Sequence, residues 1–194
     1  GYDGGYTIRL DSDGHAIISG WTKSQDFPVK NEYRKYQGGN LLDIFITKLN
    51  FEENEIIYST YIGGIFDDRA PFMEIDNQDN VYLTGKTESE DFPVKNQFQN
   101  YQGVADVICF KLNSLGNDIV FSTYLGGTNA DEAHSIDLDT NNNAYITGFT
   151  MSKDFPMTNS NQLKGWHHIF VTKLTSEGNK IKYSTLFGGN QPEM

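Results

Sequence analysis

Acidic residues recur at positions where they could act together. Asp3, Asp68 and Asp131 occupy matching places along the chain, and Asp67 and Glu132 stand next to two of them. Clustered carboxylates focus a negative potential and can hold a divalent cation. Two carboxyl groups facing each other across a cleft can also divide the acid and base work of glycoside hydrolysis. The regular repetition favours a simpler interpretation, in which each aspartate accepts hydrogen bonds from backbone amides at a structural junction.

A second acidic segment, Asp11–Gly14 (DSDG), is similar to the beginning of a calcium-binding loop. It lacks the later glutamate that an EF-hand loop requires, and Gln78 and Asn141 replace its third residue at the equivalent positions. We therefore expect an ordinary tight turn, stabilised by hydrogen bonds from backbone amides to the aspartate side chain. No cofactor is expected, and a bound cation such as calcium is the alternative.

Histidine and cysteine residues give little support for a metal centre or a nucleophile. His167 and His168 are neighbours, but adjacent residues of a strand point to opposite faces of a sheet, and no third ligand is evident. Cys109 is the single cysteine and lies in an apolar run, which excludes an internal disulfide and indicates a buried thiol. The sequence contains no nucleophile elbow, zinc motif or phosphate-binding loop, so catalysis is not expected.

The elements that carry these residues are three copies of one unit. Asp-Phe-Pro occurs at 26–28, 91–93 and 154–156, and Gly-Gly at 63–64, 126–127 and 188–189. Each copy has four strand-like runs, and the third run is apolar at consecutive positions, which is typical of a sheet covered on both faces. The pattern predicts an all-β protein, a β-propeller with three four-stranded antiparallel blades. The predicted bounds are 1–65 for blade 1, 66–128 for blade 2 and 129–194 for blade 3.

The repeated motif reads Asp-x-x-x-Asn/His-Ala/Val-x-x-x-Gly-x-Thr-x-Ser-x-Asp-Phe-Pro, then Ile-Phe-x-x-Lys-Leu, then Tyr-Ser-Thr-Tyr-x-Gly-Gly. It resembles the repeat of the seven-bladed β-propeller (SBBP) family, and the resemblance covers nearly the whole chain three times. It implies a propeller fold and a secreted or cell-surface location, and it brings no catalytic signature. The chain departs from the family in having three units.

Three blades are too few to surround a channel, because propellers usually need four to eight. An open array would expose the apolar faces of the first and last blades. Two arrangements would cover them. One is a head-to-tail homodimer that closes a ring of six blades, and the other is that the chain is part of a larger propeller. The expected partners are therefore other propeller blades.

The loops at one end of the blades are the expected binding face. In a propeller the first strand of each blade lines the channel, so Asp3, Asp68 and Asp131 are predicted to form an acidic ring at the channel mouth. Trp21 and Trp166 interrupt the repeat on these loops and are better binding candidates than repeated aromatics, because fold maintenance acts alike on all blades. Tyr33, Tyr36 and Tyr101 add rings to the same loops and complete the set of ligand-binding candidates. Such rings stack on sugars or on a protein partner, and the alternative is that they pack the loops onto the blades.

Charge and hydropathy exclude several classes of function. The net charge is −11 and no basic patch occurs, which argues against binding to nucleic acid or to an anionic membrane surface. No apolar run approaches the roughly 20 residues of a spanning helix, so membrane insertion is not expected. We expect a non-catalytic interaction or scaffold module that binds a protein or glycan outside the cell. A structural self-assembly element and a propeller-type glycan hydrolase or lyase are the alternatives.

Overall fold

The computed structural model describes residues 1–36, 41–159 and 165–189, so the predicted end of blade 3 at 190–194 lies outside the described residues. Within these ranges the regular structure consists of three separate four-stranded antiparallel sheets. Blade 1 contains β1 (Asp3–Leu10), β2 (Ala16–Thr22), β3 (Asp43–Asn50) and β4 (Glu55–Ile62). Blade 2 contains β5 (Asp68–Ile75), β6 (Val81–Thr87), β7 (Asp106–Leu112) and β8 (Ile119–Leu125). Blade 3 contains β9 (Asp131–Leu138), β10 (Ala144–Thr150), β11 (His168–Leu174) and β12 (Ile181–Phe187).

Each sheet is a simple meander, because the strand order in the sheet follows the order in the chain. One sheet falls in each of the three sequence units, which confirms the prediction of three antiparallel propeller blades. No helix occurs among the described residues, and therefore none that is long and apolar enough to cross a membrane.

The turn between the first two strands of each blade is built around an aspartate that recurs in all three repeats. In blade 2, Asp76 Oδ1 accepts hydrogen bonds from the backbone N–H groups of Gln78 (2.9 Å) and Asn80 (3.0 Å). Asp79 adopts a φ of 60°, which asparagine and aspartate tolerate better than other residues with a β-carbon. The segment Asp11–Gly14 begins the same turn in blade 1, with Asp11 Oδ1 accepting from two backbone amides.

A glycine in the second strand of every blade lets the first strand approach closely. The register of β5 against β6 shifts between Arg69 and Phe72, which marks a bulge opposite Gly85. A β-carbon at Gly85 would overlap the carbonyl oxygen of Arg69 and lie 2.7 Å from the Cα of Ala70. The repeat therefore needs glycine at this position for steric reasons.

The blades stack face to face in chain order. Strand β5 packs against β1, β2 and β3, and strand β9 packs against β5, β6 and β7. One apolar core lies between blades 1 and 2, and a second lies between blades 2 and 3. Cys109 is buried in the second core, and burial raises the pKa of its thiol to about 12, so it packs as a small apolar side chain.

Candidate functional site

One end of the blades collects the site residues predicted from the sequence. Asp3 pairs with Thr22 and Thr22 pairs with Asp43, so β1 begins, β2 ends and β3 begins at the same end of blade 1. The other two blades have the same arrangement. We call this end the loop face; it comprises the segments between the second and third strands of each blade and the segments that link one blade to the next.

Asp68 and Asp131 form blade junctions on the loop face. Asp68 is fully buried, and its Oδ2 accepts hydrogen bonds from Ser89 Oγ (2.9 Å) and from the backbone N–H of Gly64 (2.7 Å). Its Oδ1 accepts from the hydroxyl of Thr87. Asp131 is equally buried and accepts the matching bonds from a serine hydroxyl and a glycine N–H in the next repeat. Each aspartate thus ties its own blade to the segment that links it to the preceding blade.

The prediction that Asp3, Asp68 and Asp131 form an acidic ring at a channel mouth is therefore corrected for Asp68 and Asp131, which are buried. Asp68 and Asp131 have no exposed surface, because the loop segments cover them, so neither carboxyl group can contact a cation or ligand in a channel. Asp3 is exposed and makes hydrogen bonds with the hydroxyls of Thr22 and Ser24. The bond from Thr22 is the main reason that the pKa of Asp3 is lowered.

The aspartate of the Asp-Phe-Pro triplet completes each junction. Asp91 Oδ1 accepts from the backbone N–H of Ile65 (3.0 Å), and Ser89 Oγ accepts from that of Phe66 (2.9 Å). In the next blade, Asp154 Oδ1 accepts the equivalent bond from the residue after Gly127 (2.9 Å). Three successive backbone donors of the linking segment are thus bound by side chains of the following blade, which explains why the triplet and the glycine pair recur together.

A second buried carboxyl group stands beside each junction aspartate. A β-carbon at Gly126 would overlap Asp106 Oδ1 and lie 2.7 Å from Asp131 Oδ2, so the two carboxyl groups flank this glycine. Asp43 and Asp68 flank Gly63 in the same way. Sequence reasoning missed these pairs, although the recurrence of aspartate at the start of the third strand was an available signal.

Burial changes the ionisation of these paired carboxyl groups. Desolvation raises the pKa of Asp68 to about 7 despite its three hydrogen bonds. Desolvation also raises the pKa of Asp106 to about 7, with a further contribution from the negative charge of Asp131. Asp106 Oδ2 accepts from the backbone N–H of Gln102 (2.7 Å), but its Oδ1 has no hydrogen-bond partner among the described residues. Burial thus raises the pKa of Asp68, Asp106 and Asp131 and disfavours their charged forms.

We expect Asp106→Asn to raise the free energy of unfolding at pH 8 by about 1–3 kcal/mol, because a buried charge with an unsatisfied oxygen is replaced by a neutral amide. In the wild type the folded chain keeps a proton that the unfolded chain releases between about pH 4 and 7, so stability falls as the pH rises through that window. The variant loses this part of the pH dependence. Urea unfolding at several pH values measures both effects.

The control for this substitution is Asp118→Asn, which removes an exposed carboxylate paired with Lys95. A change within about 0.5 kcal/mol is expected there, because surface ion pairs contribute little. If the free energy of unfolding changed with pH equally in Asp106→Asn and in the wild type between pH 4 and 7, this result would contradict the ionisation assigned to Asp106.

Three of the five aromatic candidates pack the loops onto the blades. The ring of Tyr36 meets Tyr61 edge-on with centroids 5.4 Å apart, and Tyr101 meets Tyr124 in the same way at 5.5 Å. The Tyr101 hydroxyl donates to the carbonyl oxygen of Val104 (2.8 Å). Burial raises the pKa of Tyr101 to about 12. Tyr36 and Tyr101 are thus equivalent packing residues.

Tyr33 also packs inward. Its side chain lies against the core between blades 1 and 2, and its backbone N–H donates to Thr60 Oγ1 (2.9 Å). The packing alternative therefore describes the contacts of all three half-buried tyrosines, and their role in stacking on a ligand stays a prediction.

Trp166 differs from these tyrosines because its ring faces solvent. It is 64% exposed and lines a groove of about 240 Å³ with Val104, which is 69% exposed. Asn129, Ala130 and Met151 complete the groove at the junction of blades 2 and 3. The ammonium group of a neighbouring lysine, Lys153 Nζ, lies 4.8 Å from the centre of the indole ring.

Trp21 lines a comparable groove at the junction of blades 1 and 2. This groove has a volume of about 320 Å³ and an aromatic wall with cationic side chains at its rim. Its lining residues are Tyr2, Tyr6, Trp21, Lys23, Leu42 and Arg69. The structure thus brings the two tryptophan candidates to the same face, each beside a blade junction, and their role in binding stays a prediction.

Neither of the two segments considered as alternative metal sites, Asp11–Gly14 and His167–His168, has the geometry of an open cation site. The ligand atoms of Asp11, Asp13 and His15 lie within 4.8 Å of one another, but Asp11 Oδ2 already accepts from Lys48 Nζ (2.5 Å). The lysine ammonium supplies the positive charge that a cation would bring. His168 is buried beside the glycine pair, whereas the ring of its neighbour packs on Phe149, so the adjacent histidines point apart.

The β-propeller repeat model of the SBBP family matches residues 120–156. The chain carries an SBBP β-propeller repeat. The matched segment runs from the last strand of blade 2 to the Asp-Phe-Pro triplet of blade 3, and so contains one complete blade junction. The junction of blades 1 and 2 has the same hydrogen bonds as the junction inside the matched segment. A search of the curated proteins found no match.

Proposed function

We propose that this SBBP-repeat chain is a non-catalytic interaction module that binds a protein or glycan partner through its loop face. The observation that carries the proposal is the exposed indole of Trp166 at the edge of a groove between two blades. An exposed indole offers a large apolar surface at low entropic cost, and the Asn129 side chain beside it can form hydrogen bonds with a sugar or a backbone. The second groove, at Trp21, extends the same kind of surface.

The absence of catalytic activity in this proposal is supported by the roles of the acidic residues. The carboxyl groups that recur in the repeat are engaged in hydrogen bonds at the blade junctions, where Asp68 and Asp131 are fully buried. A glycosidase needs two carboxyl groups open to substrate across a cleft. These two residues do not meet that requirement, which favours binding over hydrolysis.

The proposed location is outside the cell or at its surface. It is supported by the resemblance of the repeat to SBBP proteins. The net charge of −11 agrees with partners that are neutral or basic, such as uncharged glycans and basic protein surfaces.

The test is binding of the purified chain to a glycan array and to extracts of surface proteins, with Trp166→Ala as the variant. Loss of a central tryptophan typically costs about 2 kcal/mol or more, so we expect at least about 30-fold weaker binding to the partner that is found. The matched control is Leu115→Ala, which removes an apolar side chain of similar exposure (67%) in the turn between β7 and β8, at the opposite end of the blade. Binding that is indifferent to Trp166→Ala, or no binding on either platform, would contradict the proposal.

A further inference from the structure

The groove at Trp21, between blades 1 and 2, departs from the repeat. In blade 2 the residues that match Trp21 and Lys23 are Lys86 and Glu88, and Lys86 Nζ donates to Glu88 Oε1 at 2.7 Å. In blade 3 the same two positions hold a phenylalanine and a methionine. A tryptophan–lysine pair, an ion pair and an apolar pair thus occupy the same place in three similar blades. The fold itself requires neither the tryptophan nor the lysine, so this pair can serve a ligand.

The indole of Trp21 is seated on a glycine. A β-carbon at Gly4 would lie 2.8 Å from both Cε2 and Nε1 of the ring and 2.9 Å from Cζ2. The residues at the position of Gly4 in the other blades are Arg69 and Glu132, whose side chains would displace the ring. Blade 1 therefore pairs its tryptophan with a residue small enough to leave room for it. The backbone holds the ring in place, and a ring that is already fixed loses little entropy when a ligand stacks on it.

Two tyrosines and a leucine complete the apolar part of the groove. Leu42 is buried, whereas Tyr2 and Tyr6 are 79% and 47% exposed. The carbonyl oxygen of Tyr2 accepts from the backbone N–H of Lys23 (2.9 Å), and the matching bond recurs in both other blades. Tyr2 is therefore placed by a contact that the fold repeats. The groove volume of about 320 Å³ lies near the lower limit of small-molecule sites, roughly 300 Å³, and suits a single sugar residue.

The rim of the groove is cationic, in contrast to the acidic chain. The ammonium group of Lys23 has no ion-pair partner among the described residues, and this lysine is partly buried. Arg69 also lines the groove, although its guanidinium lies 3.6 Å from Asp67 Oδ2, which offsets part of its charge. An unpaired ammonium group beside an aromatic wall attracts a carboxylate, because a charge-assisted hydrogen bond is about twice as strong as a neutral one.

We propose that the groove at Trp21 binds a sugar residue that carries a carboxylate, as a uronic acid does, within a glycan chain. The apolar face of the sugar stacks on the indole, and its carboxylate accepts a hydrogen bond from Lys23 Nζ. This inference rests on the loop-face function proposed above and specifies the ligand of one of its two grooves. Longer glycans extend to the groove at Trp166 as well, and short ones occupy the groove at Trp21 alone.

The charge of the whole chain narrows the ligand further. A net charge of −11 repels dense polyanions, such as highly sulfated chains and nucleic acids. At physiological ionic strength this repulsion is screened beyond about 8 Å, so one carboxylate at the rim responds mainly to the nearby lysine. The expected ligand is therefore a glycan whose carboxylates are isolated among neutral sugars.

The test compares short oligosaccharides that end in glucuronic or galacturonic acid with neutral ones that end in glucose or galactose, by isothermal titration. We expect the 194-residue chain to bind the acidic member of a pair at least about tenfold more tightly. Lys23→Met should remove this preference without weakening the neutral ligand, and Lys23→Arg should retain it. Lys95→Met is the control and should change neither affinity, because Lys95 is an exposed lysine paired with Asp118 in the turn before β8.

Tryptophan fluorescence locates the sugar. The chain has two tryptophans, so in the Trp166→Phe variant the tryptophan emission comes from Trp21 alone. We expect the short uronate oligosaccharide to change this emission and to bind with nearly the wild-type affinity. Trp21→Ala should weaken the binding of both sugars by at least about 30-fold, with circular dichroism as the check that the variant stays folded.

Four outcomes would overturn the inference, and they separate it from the loop-face function. Equal affinities for acidic and neutral sugars, or a preference that survives Lys23→Met, would exclude the carboxylate ligand and leave that function standing. Uronate binding that needs Trp166 but not Trp21 would assign the sugar to the other groove. Binding of a surface protein without any glycan would leave only the protein form of the function. If neither glycans nor surface proteins bound, the inference and the proposed function would both be wrong.

Discussion

Gly85→Ala should lower the free energy of unfolding by about 3 kcal/mol or more. The new β-carbon would overlap the carbonyl oxygen of Arg69 and lie 2.7 Å from the Cα of Ala70. Both are backbone atoms of the bulge in β5, so no side-chain rotation can relieve the clash. The bulge must open, and β5 then loses its packing against blade 1. Urea unfolding followed by tryptophan fluorescence measures the loss.

Gly5→Ala is the matched control for this prediction. Gly5 lies in β1 at the position that Ala70 occupies in blade 2 and Ala133 in blade 3. Among the described residues, a β-carbon there would come no closer than 3.9 Å to another atom, at Ile18 Cγ2. We expect a change within about 0.5 kcal/mol. Similar losses for Gly5→Ala and Gly85→Ala would contradict the steric account of the bulge.

Lys111→Met should cost about 3 kcal/mol, because it leaves a buried carboxylate without its partner. Lys111 Nζ lies 2.8 Å from Asp76 Oδ2, and the side chain of Asp76 has no exposed surface. Burial opposes ionisation of Asp76, but the hydrogen bonds from Lys111 and Asn80 outweigh it and hold the pKa below its ordinary value. The loss should shrink at acidic pH, as Asp76 becomes protonated in the variant and its charge no longer needs a partner.

Blade 3 offers the control for the ion pair. Lys173 Nζ lies 2.7 Å from Asp139 Oδ2 in the same arrangement, but both side chains are about one-fifth exposed. Water can therefore solvate Asp139 when the lysine is removed, and Lys173→Met should cost clearly less than Lys111→Met. Equal losses at the two sites would show that burial of the carboxylate does not determine the cost.

The repeat predicted the fold well because each blade is specified by local signals. Turn aspartates such as Asp76, the glycine opposite the bulge and the apolar third strand all act over a few residues. These signals recur three times in the sequence. The blade number and the strand order therefore needed no information about contacts between distant residues.

The sites were harder to predict because they depend on how blades pack. Asp68 was placed correctly at the start of a first strand, but its exposure depends on the linking segment that folds over it. Tyr36 and Tyr101 were interpreted as ligand-binding residues although both follow Asp-Phe-Pro at the same spacing, which is the mark of a packing role. The pairing of Asp106 with Asp131 involves two blades, and spacing along one chain does not reveal it.

The central claim is that the blades stack face to face in chain order, and a contact at the end opposite the loop face tests it most directly. Gly178, in the turn between β11 and β12 of blade 3, lies on the ring of Phe121 in blade 2, and Gly116 lies on the ring of Tyr58 in blade 1 in the same way. Nuclear Overhauser spectra should therefore show contacts from the Gly178 α-protons to the Phe121 ring, with those protons shifted upfield by the ring current. Ordinary chemical shifts for the Gly178 α-protons, with no contact to Phe121, would contradict the stack.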